Sequence, residues 1–160
     1  MSFPNDRTYT PDINNFFSDN AAAYTANGFL QFGGADGVVD LGGNQGASPV
    51  QQARIDAVAV CDVTALNVAT ADESYKIRVL VSNDPAFAAG NVVMAGGMDL
   101  AAANTGDVGN AKTAVTGRYE IMFSNNIAGA IYQYCKVYLL VGGTGPSINI
   151  DGFIAVLPEV

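Results

Sequence analysis

The chain offers few side chains that could act as catalysts. Its 160 residues include no histidine, and its only glutamates are Glu73, Glu120 and Glu159. Histidine is the commonest general base and activates the nucleophile in Ser-His and Cys-His pairs. Each glutamate falls where a solvated strand face, a loop or a terminus is the simpler interpretation. The sequence therefore predicts a protein that is not an enzyme and has no catalytic residues.

Candidate metal and phosphate sites are equally sparse. Oxygen-bearing side chains occur together at residues 36–40 and 83–84, but neither has the alternate ligands and final glutamate of an EF-hand loop. The glycine-rich segment 142–146 lacks the Lys-Ser/Thr of a Walker loop. Cys61 and Cys135 lie far apart in apolar surroundings, which indicates buried free thiols. We therefore expect no cofactor and no metal, with a calcium ion bound by a loop as the alternative.

The charge balance excludes several partners. Seven Lys and Arg residues against fifteen Asp and Glu residues give a net charge of −8. Neutralising phosphates requires a basic patch, so we expect no direct binding of nucleic acid. No stretch approaches the ~18 consecutive apolar residues of a membrane-spanning helix, and the N-terminus lacks the basic and apolar regions of a signal peptide. The sequence thus predicts no membrane partner and synthesis in a cytoplasm.

Alternating apolar and polar residues indicate that strands position these side chains. Residues 75–81 and 117–124 each place apolar side chains on one face and polar ones on the other. Further strands are predicted at residues 29–32, 37–41, 52–63, 91–100, 131–141 and 147–157, which makes about eight, separated by glycine-rich turns. Within segment 11–24, residues 20–23, with three successive alanines, favour a short helical turn. This pattern predicts an all-β, single-domain sandwich, jelly roll or barrel.

One predicted strand carries an unusual number of tyrosines. In segment 131–141, Tyr132, Tyr134 and Tyr138 recur at even positions opposite an apolar face. Such tyrosines are either ordinary cross-strand partners or part of a subunit interface, where an aromatic ring supplies area and its hydroxyl stays hydrated.

The order of several segments resembles the jelly-roll capsid cement, or decoration, proteins of tailed bacteriophages, and is similar to the Bordetella phage cement protein family. The matching segments are residues 15–21, 38–42, 75–87, 134–143 and 148–157. The resemblance implies a jelly-roll β-sandwich with no enzymatic residues. It also implies a homotrimer that binds the outer capsid surface of the virion and clamps neighbouring major capsid subunits. The protein would be synthesised in the host cytoplasm.

On this interpretation the chain divides into an N-terminal arm, residues 1–13, and a jelly-roll domain, residues 14–160. Pro4 and Pro11 resist helix formation, so we expect the arm to contact the capsid through Phe3, Tyr9 and Ile13. The trimer interface is expected to include the three tyrosines. Two alternatives remain: a tail or baseplate β-sandwich, and a carbohydrate-binding host-attachment module. An immunoglobulin-type sandwich competes for the fold, but the chain lacks the tryptophan of that fold.

Overall fold

The computed structural model describes residues 12–42, 54–101 and 112–156, and in them the chain is all-β. A short 3-10 helix, Ile13–Asn15, precedes the first strand. The strands are β1 (Phe16–Asp19), β2 (Gly28–Phe29), β3 (Gln31–Phe32), β4 (Ala35–Asp36), β5 (Val39–Asp40), β6 (Asp56–Leu66), β7 (Ser74–Ser82), β8 (Val93–Ala101), β9 (Lys112–Thr113), β10 (Gly117–Ser124), β11 (Asn126–Ile127), β12 (Ala130–Ile131), β13 (Tyr134–Gly142) and β14 (Ile148–Val156). None of the described helices is long and apolar enough to cross a membrane.

Most of the strands belong to two sheets. Sheet A has the order β1-β14-β6-β10, and sheet B has the order β2-β13-β7-β8-β9, with β5 also paired to β13. The pairings are antiparallel except for the short parallel pair β8–β9. Two short hairpins, β3–β4 and β11–β12, lie outside these sheets.

The main hydrophobic core draws on both sheets. Alternate residues of each long strand enter one buried cluster, for example Cys61 from sheet A and Val79 from sheet B. The sheets approach closely at Gly96, where an added Cβ would lie 3.1 Å from the Ile121 side chain. Burying a Val or Ile side chain stabilises a fold by about 1.5–3 kcal/mol, so this cluster is the main source of stability.

The strand predictions are largely confirmed, with two corrections. The segment predicted at 117–124 is β10, and that at 75–81 lies within β7. The number of strands exceeds the predicted eight, because residues 28–40, 112–113 and 126–131 form several two-residue strands.

The helical turn predicted at residues 20–23 is wrong. The Asp19 carboxylate accepts hydrogen bonds from the Ala21 and Gly33 amides, at 3.1 and 2.8 Å. Tyr24 then exchanges two backbone hydrogen bonds with Ile148 of β14. These contacts fix residues 20–24 in an irregular, non-helical conformation.

Candidate functional site

The predicted tyrosine face is only partly formed. Strand β13 begins at Tyr134, so Tyr134 and Tyr138 share its outward face. Tyr132 precedes the strand, and its side chain packs against the main core. The Asn125 carbonyl accepts a hydrogen bond from the Tyr132 amide at 2.9 Å, and the Asn125 side chain donates to the Tyr132 carbonyl at 3.1 Å. The prediction that three tyrosines share one face therefore fails for Tyr132, because the β11–β12 hairpin interrupts the alternation.

A buried lysine beside Tyr138 organises the outer face of sheet B. Lys136 is 5% exposed, and its Nζ lies 3.1 Å from Oδ2 of Asp36. The same ammonium group lies 4.7 Å from the ring centre of Phe29 and 4.9 Å from that of Phe87. Cations are attracted to the faces of aromatic rings at such distances. We call Lys136, Asp36, Phe29 and Phe87 the lysine clamp.

The lysine clamp covers part of the predicted interface with the chain's own residues. Phe29 packs edge-to-face on Tyr138, with ring centres 5.0 Å apart, and on Phe87 at 6.1 Å. Strand β2 places Phe29 directly opposite Tyr138 in the register. Tyr134, in contrast, lies between Asp40 of β5 and Ser82 of β7. Tyr138 therefore has an aromatic partner within the part of the chain that the structure describes.

The outer face of sheet A carries a second apolar cluster. Val58 and Val60 are fully buried there beside Phe153, with Phe16 and Ala155 packed against them. The Phe16 ring lies 5.6 Å from Phe153 and 5.7 Å, stacked, from Phe32. We call this cluster, together with the neighbouring Met122, the sheet A patch. Met122 lies on β10 directly opposite Val58 of the cluster. Its side chain is 62% exposed, so the patch extends to the surface.

The sequence contained a signal for the sheet A patch that the alternation argument missed. Residues 57–61 are an unbroken apolar run, which is typical of a strand buried on both faces. Side chains at 57, 59 and 61 enter the main core, whereas those at 58 and 60 enter the second cluster.

The predicted arm lies mostly outside the described residues. Phe3 and Tyr9 fall there, whereas Ile13 is described and is 66% exposed. It starts the 3-10 helix, which Asp12 caps by accepting a hydrogen bond from the Asn14 amide at 2.9 Å. The side chain of Ile13 is thus open to a contact from outside the chain.

Two neighbouring carboxylates, one buried and one exposed, hold two turns at one end of the molecule. Glu73 is fully buried, and its Oε1 accepts hydrogen bonds from the Thr70 hydroxyl at 2.6 Å and the Thr70 amide at 3.0 Å. These hydrogen bonds hold the pKa of Glu73 below its usual value. The neighbouring Asp72 accepts from the Thr144 amide and hydroxyl at 2.9 and 2.8 Å. Bonds from Thr144 likewise lower the pKa of Asp72, so ionised Asp72 anchors the 143–146 turn, whereas ionised Glu73 holds the turn at residues 70–73.

Neither the acidic groups nor the thiols form a metal site in the described ranges. No three His, Cys, Asp or Glu side chains there are grouped closely enough to hold a metal ion. Both cysteines are free and buried, as predicted. Burial raises the pKa of Cys61 to about 12. Burial also raises the pKa of Cys135, and the charge of the nearby Cys61 thiolate adds to that increase. The two thiols are therefore core side chains.

Comparisons with known proteins do not identify a family. No protein-family model, curated protein or solved structure matches the chain. The resemblance to capsid cement proteins accordingly stays a prediction from the sequence pattern.

Proposed function

We propose that the chain is a jelly-roll capsid cement protein. In this role it is a structural virion component that binds the outer surface of a phage shell as a trimer and stabilises contacts between major capsid subunits. The observation that carries the proposal is the order in which the strands of sheets A and B pair. The sequence contains no histidine, the commonest general base, which suits a structural role.

The strand order supports the jelly-roll part of this proposal. Such a fold has eight principal strands in two packed sheets, and its first strand pairs with the last, the second with the seventh, and so on inward. If β1, β2, β6, β7, β8, β10, β13 and β14 are taken as those eight, the required pairs are β1–β14, β2–β13, β6–β10 and β7–β8. All four pairs are present and antiparallel. The two sheets then have the orders 1-8-3-6 and 2-7-4-5.

The charge supports a position outside the shell. A net charge of −8 repels packaged nucleic acid, whose phosphates attract only basic surfaces. Exposed Ile13 and Met122 provide apolar contacts for capsid or neighbouring subunits. We place the capsid contact at the arm and the trimer contact at the outer face of sheet B, around Tyr134 and Tyr138.

The copy number in purified particles tests the cement function. A cement protein that covers the shell is present at near-equimolar ratio to the major capsid protein, because it follows the symmetry of the shell. Quantitative gel or mass-spectrometric measurement of both proteins gives this ratio. Six to a few dozen copies per particle would instead identify a tail or baseplate component and overturn the proposal.

A substitution at Tyr134 tests the trimer contact. Tyr134→Lys should cost about 2 kcal/mol or more per interface if the ring is buried between subunits, because each contact then holds a desolvated cation. Light scattering measures the mass and circular dichroism measures the fold. The matched control is Met122→Lys on sheet A, which should leave a sheet B trimer intact. If the trimer survives both Tyr134→Lys and Tyr138→Lys, the subunit interface lies on another part of the surface.

Removal of residues 1–12 tests the arm. The free protein should keep its melting temperature, because the core described above begins at Phe17. Binding to empty shells should weaken, as measured by co-sedimentation. Ile13→Ser in the full chain is the companion variant, since it alters an exposed side chain without shortening the chain. An unfolded truncated protein would show that the arm belongs to the domain.

A further inference from the structure

A pocket lies where the turn after β7 meets the segment before β13. It has a volume of about 390 Å³ and is lined by Asn83, Asp84, Gly90, Asn91, Val93 and Tyr132. Small-molecule sites in proteins usually have volumes of about 300–1,000 Å³. The lining residues include two asparagines, one aspartate, one tyrosine and one valine, so a ligand would meet both polar and apolar residues.

Two of the polar side chains are held in place by the backbone. The Asn83 amide donates to the Ile131 carbonyl at 3.1 Å, and its oxygen accepts from the Gln133 amide at 2.9 Å. The Asp84 carboxylate accepts from the Ala86 amide at 2.9 Å and from the Ala88 amide at 3.1 Å. Groups fixed in this way lose little conformational entropy when a ligand binds.

The lysine clamp fixes the same turn from its other side. Phe87 adopts a left-handed backbone, with φ of +53°, and its amide donates to the Asp84 carbonyl at 3.0 Å. Its ring is buried over Lys136 and against Phe29. The turn that carries Asp84 is therefore anchored by a buried aromatic side chain.

These side chains keep unused hydrogen-bonding capacity. An ionised carboxylate accepts about four hydrogen bonds, and Asp84 receives two from the turn. An amide side chain has two donor hydrogens and two acceptor lone pairs, and Asn83 uses one of each in the bonds above. Asn91 is exposed, and Tyr132 is half-buried, so the part of this tyrosine that does not pack against the core is available to a ligand.

We propose that this pocket binds a neutral saccharide residue. A sugar ring presents adjacent hydroxyl groups, which match a carboxylate and two amides, and an apolar C–H face, which packs on an aromatic ring. The Asp84 carboxylate and the acidic chain disfavour acidic sugars. The site goes beyond the cement function, and its ligand can be tested on the free protein without any shell.

Titration of the full chain with single sugars tests the proposal. The probes are glucose, galactose, mannose and N-acetylglucosamine, each followed by ¹H–¹⁵N NMR, with N-acetylneuraminic acid and calcium chloride as separate arms. At least one neutral sugar should shift the amide signals of residues 83–93 and 132 in a saturable way. The acidic sugar should shift them less. Shifts with none of the neutral sugars, or only outside the pocket, would overturn the proposal, as would saturable shifts with calcium alone.

Variants then separate a specific site from weak surface binding. Asn91→Ala should reduce the affinity for the selected sugar about fivefold to tenfold, the loss of one hydrogen bond to a ligand. Asn91 is exposed, so the fold should be unaffected. Tyr132→Leu should also weaken binding, while it keeps an apolar side chain against the core. The matched control is Asn14→Ala, an exposed asparagine outside the pocket lining. Equal affinity in the Asn91 and Asn14 variants would rule out the pocket as the site.

Discussion

The outer faces of the two sheets are covered in different ways. On sheet B, a charged side chain, Lys136, is buried by Phe29 and Phe87 and paired with Asp36. On sheet A, the buried outer side chains are apolar, and aromatic rings from the neighbouring strands pack beside them. Part of the sheet B cover, Asp36 and Phe87, comes from segments outside that sheet, whereas the sheet A patch is built mainly by the sheet's own strands β1, β6 and β14.

This difference shows that one alternation pattern can have two structural outcomes. Strand β13 places a lysine among its outward residues, yet only 5% of that residue is exposed. Strand β6 places valines there, and they are fully buried as well. A buried charge needs a partner and oriented dipoles, while a buried valine needs only contact. Substitutions on the two faces should therefore destabilise the fold for different reasons.

The largest effect is expected at the lysine clamp. Lys136→Glu would place a carboxylate between two ring faces and beside Asp36, so the free energy of unfolding should fall by about 3 kcal/mol or more. The control is Arg54→Glu, which reverses an ion pair whose side chains are 62% and 52% exposed. That change should cost less than about 1 kcal/mol. Urea unfolding measures both, and similar losses would mean that the clamp is no stronger than a surface pair.

A smaller effect is expected on sheet A. Val60→Thr keeps the side-chain volume but adds a hydroxyl group among apolar neighbours, which should cost about 1–2 kcal/mol. The backbone groups of β6 already pair with β10 on one side and β14 on the other, so they do not offset the cost of the added hydroxyl group. Val156→Thr is the same substitution at a side chain that is 55% exposed, and it should be nearly neutral. If thermal unfolding showed the two variants to be equal, the outer cluster would contribute little.

The smallest effect on folding is expected at the exposed end of the sheet A patch. Met122→Lys should change the free energy of unfolding by no more than about 0.5 kcal/mol, because the side chain is 62% exposed. The same variant should weaken binding to shells if this patch contacts the capsid. Co-sedimentation with empty shells, compared with Glu120→Lys on the same strand, separates the loss of an apolar contact from a change of charge.

The sequence predicted the elements with clear alternation and missed those that depend on distant partners. Strand β10 was predicted with its observed bounds, because Tyr119, Ile121 and Phe123 alternate with polar residues. Strand β1 was missed, because its four residues carry no alternation and it is stabilised by pairing with β14, at the other end of the chain. No local feature of Lys136 indicates that Phe29 and Phe87 cover it.

The pocket residues were visible in the sequence, but their proximity was not. Asn83 and Asp84 stood out as oxygen-bearing residues, and Tyr132 stood out as one of three tyrosines. Pairing of β7 with β13 brings the ends of those strands together and so joins the two sets. The same pairing ends at Tyr134, which is why Tyr132 contributes to a pocket while Tyr138 contributes to a sheet face.

The burial of Cys61 and Cys135 also determines how the molecule would respond to a thiol reagent. Alkylation requires the thiolate, and burial has suppressed that form in both side chains. Each thiol occupies the inner core, so neither should react until the sheets separate. The rate of alkylation under native conditions therefore measures how often the core opens. Packing of a subunit onto a shell would slow this reaction without any change in the shape of the domain.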